Sequence, residues 1–431
     1  MLKDLEKSFN DSLFQFITGN INSRTIIKKH SENLKKNGDF SLPNSLKCWR
    51  EGELETYSKI SEKNTLLECV KKDIKDFITQ SENWCLQISE INLKLDRLHI
   101  YLDRRKAIER SLFNGETNCK LVMERIKKPT KNIICDNNCK ESNDLLSLRV
   151  KVVADAIENI CNTVDNISNN VYVTGKSSNN GPEGCYYILC GSVLNAKTGH
   201  KEATISADDY VKIRHTEMTL IAQHKYGLRV SSDCKWRDYL AHLGNSAVTF
   251  ELLQIKPSTC IKVNFECSSG SSKGAPFVLY NCARLESILR TYNEKVEDGS
   301  YPPLPSINEV DFSLLTHEDE WTLLFNYIFG FPSLINGCVV INEKQCEFRP
   351  HNICNFLSSM VRVFSQYYRK IRILTFSLFQ KLNTDTHRVY RCTKRSATVV
   401  EGQRRKNHKA AGPLITSWKR TGELIIIFKV L

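Results

Sequence analysis

Apolar residues recur every three or four positions through most of this chain and every second position in one short region. Leu2, Leu5, Phe9, Leu13, Phe16 and Ile17 predict a first amphipathic helix, and Leu66, Val70, Ile74, Phe77 and Ile78 predict a second over 64–78. From residue 84 the period falls to two. Leu86 and Ile88, then Ile91, Leu93 and Leu95, then Leu98, Ile100 and Leu102 alternate like half-buried strands, followed by a helical run, DRRKAIERSLF. Strand followed by helix suggests a βα unit. Asn143 or Asp144 is placed to cap a helix over LLSLRVKVVADAIENICN, and Val171, Tyr172 and Val173 begin a short strand.

The second half reads as helices with little between them. In GAPFVLYNCARLESILRTY, Val278, Cys282, Leu285, Leu289 and Tyr292 share one face, and Phe277, Asn281, Arg284 and Ile288 the next. An arginine beside an apolar stripe requires a partner, either a carboxylate such as Glu286 or Glu320 or a phosphate from outside. Thr316 and Asp319 suit a capping box for a helix whose inner face is Trp321, Leu324, Phe325 and Ile328, stopped at Gly330-Phe331-Pro332. Pro350 opens a last helix with Ile353, Leu357, Met360, Phe364, Tyr367 and Ile371 inward and Arg362, Gln366 and Arg369 outward.

Four segments carry a resemblance. GAPFVLYNCARLESILRTY, with its Tyr-x-x-Ala-Arg run from Tyr280 to Arg284, resembles the first helix of the DALR anticodon-binding domain of arginyl-tRNA synthetases. EDEWTLLFNYIFGFP and FLSSMVRVFSQYYRKIRIL look like the next helices of a non-synthetase family, the DALR anticodon-binding domain-containing protein 3 family. LRVKVVADAI is similar to the helix that follows the HIGH signature of class I synthetases, where histidines and a glycine hold ATP. Those signature positions hold Asp144, Leu145, Leu146 and Ser147 here, and the lysine-rich second signature is reduced to Lys197 and Lys201. The resemblance fades after residue 374.

The expected fold class is α/β plus α: a degenerate class I synthetase-like Rossmann body followed by an all-α DALR bundle. The expected divisions are 1–80 as an N-terminal α-rich module, 81–266 as the Rossmann-like body, 267–374 as the bundle and 375–431 as a divergent basic tail. The resemblance implies a non-catalytic tRNA-binding adaptor in the cytoplasm. Its partners would be arginine tRNA and an S-adenosylmethionine-dependent methyltransferase that forms 3-methylcytidine in the anticodon loop. Competing readings are an arginine–tRNA ligase and a protein-binding scaffold. Candidate RNA contacts are Tyr280, Asn281, Arg284 and Arg290 on the first bundle helix, and Arg362, Tyr367, Tyr368, Arg369 and Lys370 on the last. Aromatic rings stack splayed bases, and arginines take phosphates. Packing is the competing role for Tyr367, which also lies on the core stripe, and simple solvation for Arg362 and Arg369.

Charge and cysteines change this picture at one point each. The net charge is +13, but residues 381–420 hold eleven Lys or Arg against two acids, so most of the excess lies in the tail. Counterion release makes such a segment a salt-sensitive polyanion binder. Seventeen cysteines without a CxxC pair read as free thiols rather than as a disulfide framework or a metal centre. No catalytic residue, cofactor or metal is expected. Gly175-Lys176-Ser177 lacks the first glycine of a P-loop, and His215-Thr216-Glu217 lacks the cysteines of a deaminase. The chain has no run of about 20 apolar residues that would span a membrane.

Overall fold

The computed structural model describes residues 2–20, 26–49, 54, 65–126, 133–164, 170–176, 182–227, 234–266, 274–301, 303, 309–341 and 346–371. The connector 267–273, most of the Pro-rich crossing near 302–308 and the basic tail lie outside the described residues.

The first part comprises α1 (Leu5–Thr18), β1 (Lys28–Lys29), α2 (Leu34–Asn37), β2 (Phe40–Pro43), α3 (Leu66–Val70), α4 (Ile74–Ser81), β3 (Ile88–Lys94) and β4 (Arg97–Leu102). The helix expected over 64–78 is two helices. Lys71 turns left-handed at φ 52°, and Asp73 starts a second capping box only three residues after the first helix ends. The strands pair antiparallel in the order β1-β2-β4-β3. Leu95 and Asp96 form the two-residue hairpin turn, both at positive φ, so Leu95 ends the strand alternation and is 98% exposed. The βα expectation is therefore corrected: β3 and β4 are a hairpin of an antiparallel sheet that reaches back to residue 28.

The parallel strands come later. The helix α5 (Arg104–Ile126) leads to β5 (Ile133–Cys135), α6 (Asn137–Glu141), α7 (Leu145–Thr163), β6 (Val171–Thr174), β7 (Tyr186–Leu189) and β8 (Val193–Asn195). The antiparallel helices α8 (Ala207–Tyr226) and α9 (Cys234–Leu253) then precede β9 (Ile261–Val263). Among the described residues, β5, β6 and β7 form one parallel sheet and β8 and β9 a second. This is a small Rossmann-like body. Arg149, fully buried on α7, ties its parts together by donating to the carbonyls of Gly191 at 2.6 Å and Thr259 at 2.7 Å. Arg214 on α8 is also fully buried and pairs with Glu251 on α9 at 2.9 Å and with Glu217 at 3.1 Å. These pairs fix the α8–α9 hairpin, because a buried cation left unpaired would cost several kcal/mol, roughly 3–5.

The bundle consists of α10 (Gly274–Glu297), α11 (Glu318–Leu323), α12 (Phe331–Gly337), the hairpin β10 (Val339–Ile341) with β11 (Cys346–Phe348), and α13 (Pro350–Lys370). Residues Leu324–Ile328 continue α11 as a π-helical turn. The cap of α11 is one residue later than expected: the Glu320 carboxylate accepts from the N–H of His317 at 2.8 Å. Pro332 does not merely stop this helix but sits in the first turn of the next.

Two hydrophobic cores result. One holds α1, the antiparallel sheet and the start of α5 together with Trp321, Leu324, Phe325 and Ile328. The other joins α7, α9, α10 and α13 with Leu323, Tyr327 and Phe331. The segment from α11 through its π turn is thus apolar on both sides and lies between them. Asp39, buried behind β2, accepts from Trp321 Nε1 and from the N–H of Leu102, both at 2.8 Å. Burial pushes its carboxyl up to about 6 against those hydrogen bonds.

Candidate nucleic-acid interface

The long helices α10 and α13 pack side by side, and the sequence explains how. On α10 the buried residues are Val278, Asn281, Leu285, Ile288 and Tyr292, with Cys282 and Leu289 half-buried. The inward stripe is therefore rotated from the expected one, and Asn281 is part of it. On α13 Ile353, Leu357, Met360, Phe364 and Tyr367 are buried as their spacing predicts.

At the seam of these helices Arg284 becomes the centre of a cluster. Its guanidinium lies 4.6 Å from the ring centroid of Tyr280 and 4.6 Å from that of Tyr368. It donates to the Tyr280 hydroxyl at 2.8 Å and to Asn281 Oδ1 at 3.2 Å. The Asn281 side chain is oriented in turn by donating to the Phe277 carbonyl at 2.8 Å. The arginine's partners are thus aromatic faces and neutral oxygens rather than Glu286 or Glu320. A guanidinium between two rings gains cation–π attraction while keeping its full charge. Tyr280 remains 45% exposed and neighbouring Phe277 38%, so the outer side of the cluster is an aromatic surface around a cation.

The other expected contacts separate by position around their helices. Arg362, Gln366 and Arg369 share the exposed outward strip of α13. The Arg369 Nε donates to the Ser365 carbonyl at 3.3 Å. Lys370 is exposed and pairs with Asp319 of α11 at 2.6 Å. Arg290 lies well round α10 from Arg284 and stands 3.9 Å from Glu294, both largely exposed. Tyr367 points the other way: it is 1% exposed and its hydroxyl donates to Glu320 at 2.9 Å, so packing is its role in this structure. Asn281 is likewise fully buried and reaches the surface only through Arg284.

The acidic turn of α11 does more than cap its helix, which its sequence does not reveal. Glu318 holds Arg104 at 2.8 Å, Asp319 holds Lys370, and Glu320 holds Tyr367. Three consecutive acids beside a tryptophan were the available signal, but their partners are 47 to 214 residues away.

A cavity of about 290 Å³ lies at the start of α7, where the sequence resemblance would put the synthetase ATP signature. Asp144 caps that helix, accepting from the N–H groups of Leu146 at 2.8 Å and Ser147 at 3.0 Å and from the Ser147 hydroxyl at 2.7 Å. Desolvation raises its pKa, but hydrogen bonds from Ser142, Ser147 and the backbone prevail and hold it at about 2. Leu146 packs onto Gly175 so closely that a Cβ there would stand 2.7 Å from Leu146 Cδ2. Glu202 adds a second carboxylate to the wall, held down at about 2 by hydrogen bonds from Thr204 and Asn195, opposite Lys176 and Lys201. Among the described residues no group of three or more His, Cys, Asp or Glu is placed to hold a metal. Within them no helix is long and apolar enough to cross a membrane.

A parallel body followed by a helical bundle is the class I fold of arginyl-tRNA synthetases. The crystal structure of arginyl-tRNA synthetase from Plasmodium falciparum aligns with it at a TM-score of 0.59 and 12% identity, covering 100% of this chain and 98% of that one. Residues 278–391, which include the Arg284 cluster and all of α13, match the DALR anticodon binding domain, running past the point near 374 where the resemblance fades by eye. The more particular resemblance is to DALR anticodon-binding domain-containing protein 3. The Danio rerio protein of that name is 33% identical over 196 residues, 43% of this chain and 34% of that protein. The Rattus norvegicus protein is 31% identical over 192 residues, 44% of this chain and 35% of that protein. The chain thus covers about a third of the length of these curated relatives.

Proposed function

We propose that this protein is a non-catalytic tRNA-binding adaptor that recognises arginine tRNAs and presents them to a partner S-adenosylmethionine-dependent methyltransferase, which forms 3-methylcytidine in the anticodon loop. The observation that carries the reading is the Tyr280–Arg284–Tyr368 cluster, which lies inside the stretch matching an anticodon binding domain. A cation held between rings at a helix seam offers both a phosphate partner and a stacking surface to a splayed loop base. Arg362, Arg369 and Lys370 extend the charge along α13, and Arg290 adds a cation on a different side of α10. Tyr367 and Asn281 support this face from beneath.

The start of α7 argues against the ligase reading. A synthetase there approaches adenine with a glycine and meets phosphates with positive groups and free N–H donors. Here Leu146 fills the close-approach position, and the ionised Asp144 occupies the N–H donors of the helix end. The protein therefore contributes affinity and tRNA choice, and the partner contributes the reaction. Tethering the tRNA beside the enzyme raises its effective concentration.

The test is a reconstituted methylation assay with the purified methyltransferase, with and without this protein, across several tRNAs. Arginine tRNAs should gain methylation while other substrates of that enzyme stay unchanged. Equal stimulation of all tRNAs would contradict the selector role. Arginine-dependent pyrophosphate exchange by the protein alone would restore the ligase.

A further inference from the structure

We propose that Asp319 is a two-position carboxylate: in the free protein it neutralises Lys370, and when a nucleic-acid phosphate takes Lys370 it turns to His317. The inference rests on the tRNA-binding reading above and concerns how that face is kept closed until RNA arrives.

The argument begins with what is fixed. Around Asp319 the turn of α11 is anchored on three sides. Glu318 takes both terminal nitrogens of Arg104, at 2.8 and 3.0 Å. Glu320 takes the Tyr367 hydroxyl and the His317 N–H. Trp321 donates to Asp39. The backbone that carries Asp319 is therefore pinned, and only its side chain is free to choose.

That side chain has two cations or donors within reach of one oxygen. Asp319 Oδ2 accepts from Lys370 Nζ at 2.6 Å. The same oxygen lies 3.8 Å from His317 Nδ1, a buried atom that faces the Glu320 N–H at the N-cap of α11 but makes no hydrogen bond to it or to any other group among the described residues. A buried polar nitrogen without a partner is uncommon and requires an explanation. Side-chain rotation of Asp319 closes that gap. With the His317 proton on Nδ1, the neutral ring donates and no proton need be gained. The exchange then conserves hydrogen bonds: Lys370 passes to a phosphate, and Asp319 passes to His317.

The energies favour a responsive pair rather than a locked one. The Lys370 side chain is 53% exposed, and exposed ion pairs are worth only about 0.2–1 kcal/mol. A polyphosphate that already engages Arg369 and Arg362 competes easily at that scale. The waiting His317 nitrogen lowers the cost further, because the released carboxylate is not left without a donor. Its consequence is discrimination. The free protein shows one cation fewer to stray anions, and the charge is uncovered only by a ligand that engages the rest of the face.

The experiment measures binding of the full chain to an arginine tRNA transcript by fluorescence anisotropy. Asp319→Asn should tighten binding about two- to five-fold, the fold-change equivalent of an exposed pair. The same substitution in a Lys370→Ala background should change nothing, because Asp319 acts through that lysine. His317→Phe keeps a ring against Tyr367 but removes the receiving donor; it should weaken binding, and adding Asp319→Asn should abolish the defect. Asp298→Asn, an equal charge change beyond the far end of α10, should leave affinity unchanged. A gain that persists without Lys370 would mean a general charge effect and overturn the proposal. Should His317→Phe fail to fold, the Asp319–Lys370 cycle alone decides. A chain that binds no tRNA in any form would remove the parent reading and this one together, whereas additive effects in a chain that binds would remove only this one.

Discussion

The start of α7 and the seam between α10 and α13 treat their polar groups in opposite ways. At α7 the polar groups of the helix start are turned inward on the chain itself: Asp144 takes the helix N–H groups, and Leu146 closes onto Gly175. At the seam the polar groups are organised but left at the surface, with Arg284 braced by Asn281 and flanked by two tyrosines. The contrast teaches that donors satisfied within the chain are withdrawn from any ligand, whereas a charge braced without being neutralised stays available to one.

The strongest way to break this comparison is at Arg284. Arg284→Glu should weaken tRNA binding about 100-fold, the scale of reversing a hydrogen-bonded, partly desolvated interface charge. Circular dichroism and thermal melting should remain close to wild type if the arginine serves RNA. Loss of folding would make it a structural residue instead.

A second test concerns what lies behind the seam. Asp39 sits under α11, and its raised pKa means that the folded state holds a proton more tightly than the unfolded chain. Its stabilising share is full below about pH 4 and is lost as pH rises through about 6, a swing of about 3 kcal/mol in all. Urea unfolding at pH 5 and pH 7 should show a smaller loss toward pH 7 in Asp39→Asn than in the wild type. An unchanged pH dependence would mean that the carboxylate is not buried as described.

Removing the basic tail sharpens the comparison by separating general charge from the seam. Deleting 375–431 should lower tRNA affinity about tenfold at low salt and flatten its salt dependence, while preference among tRNAs persists. Unchanged affinity and slope would exclude the tail as a nucleic-acid arm.

The smallest effect should come from α7. Asp144→Ala should cost about 1 kcal/mol, the usual worth of an N-cap, in a thermal or urea melt. Because the pKa of Asp144 is depressed, its contribution is present above about pH 4 and lost as pH falls through about 2. Binding to tRNA should not change. A tRNA defect here would mean that the two sites are not independent.

Much of this arrangement was legible in the sequence because it is local. The inward stripe of α13 and the cap at Asp144 both follow from spacing within one helix. What the sequence could not give is what those side chains meet. Arg284 was legible as a cation needing a partner, but Tyr368 lies on a helix 84 positions later, and only packing brings the two together. Asn281 and Tyr367 failed as surface candidates because a shift of tens of degrees around a helix moves a residue from solvent to core. The hairpin β3–β4 looks like part of a βα unit in the sequence because alternation marks a strand but says nothing about the direction of its neighbour. Arg149 and Arg214 are not legible from the sequence, since a charge within an apolar stripe looks like an interruption until its buried partners are known.

The position of α11 also has a consequence in time. The first core is built from residues 9–112, yet it is completed by Phe312 to Phe329, about 200 residues downstream. At about 5–20 residues per second, a ribosome needs roughly 10–40 s to supply that missing wall. During that interval Phe40, which meets Phe325 edge-on at 5.6 Å in the finished protein, has no such cover. The nascent N-terminal unit is therefore a natural client for chaperones, and any message that stops translation before residue 330 yields a sheet with one apolar face open to aggregation.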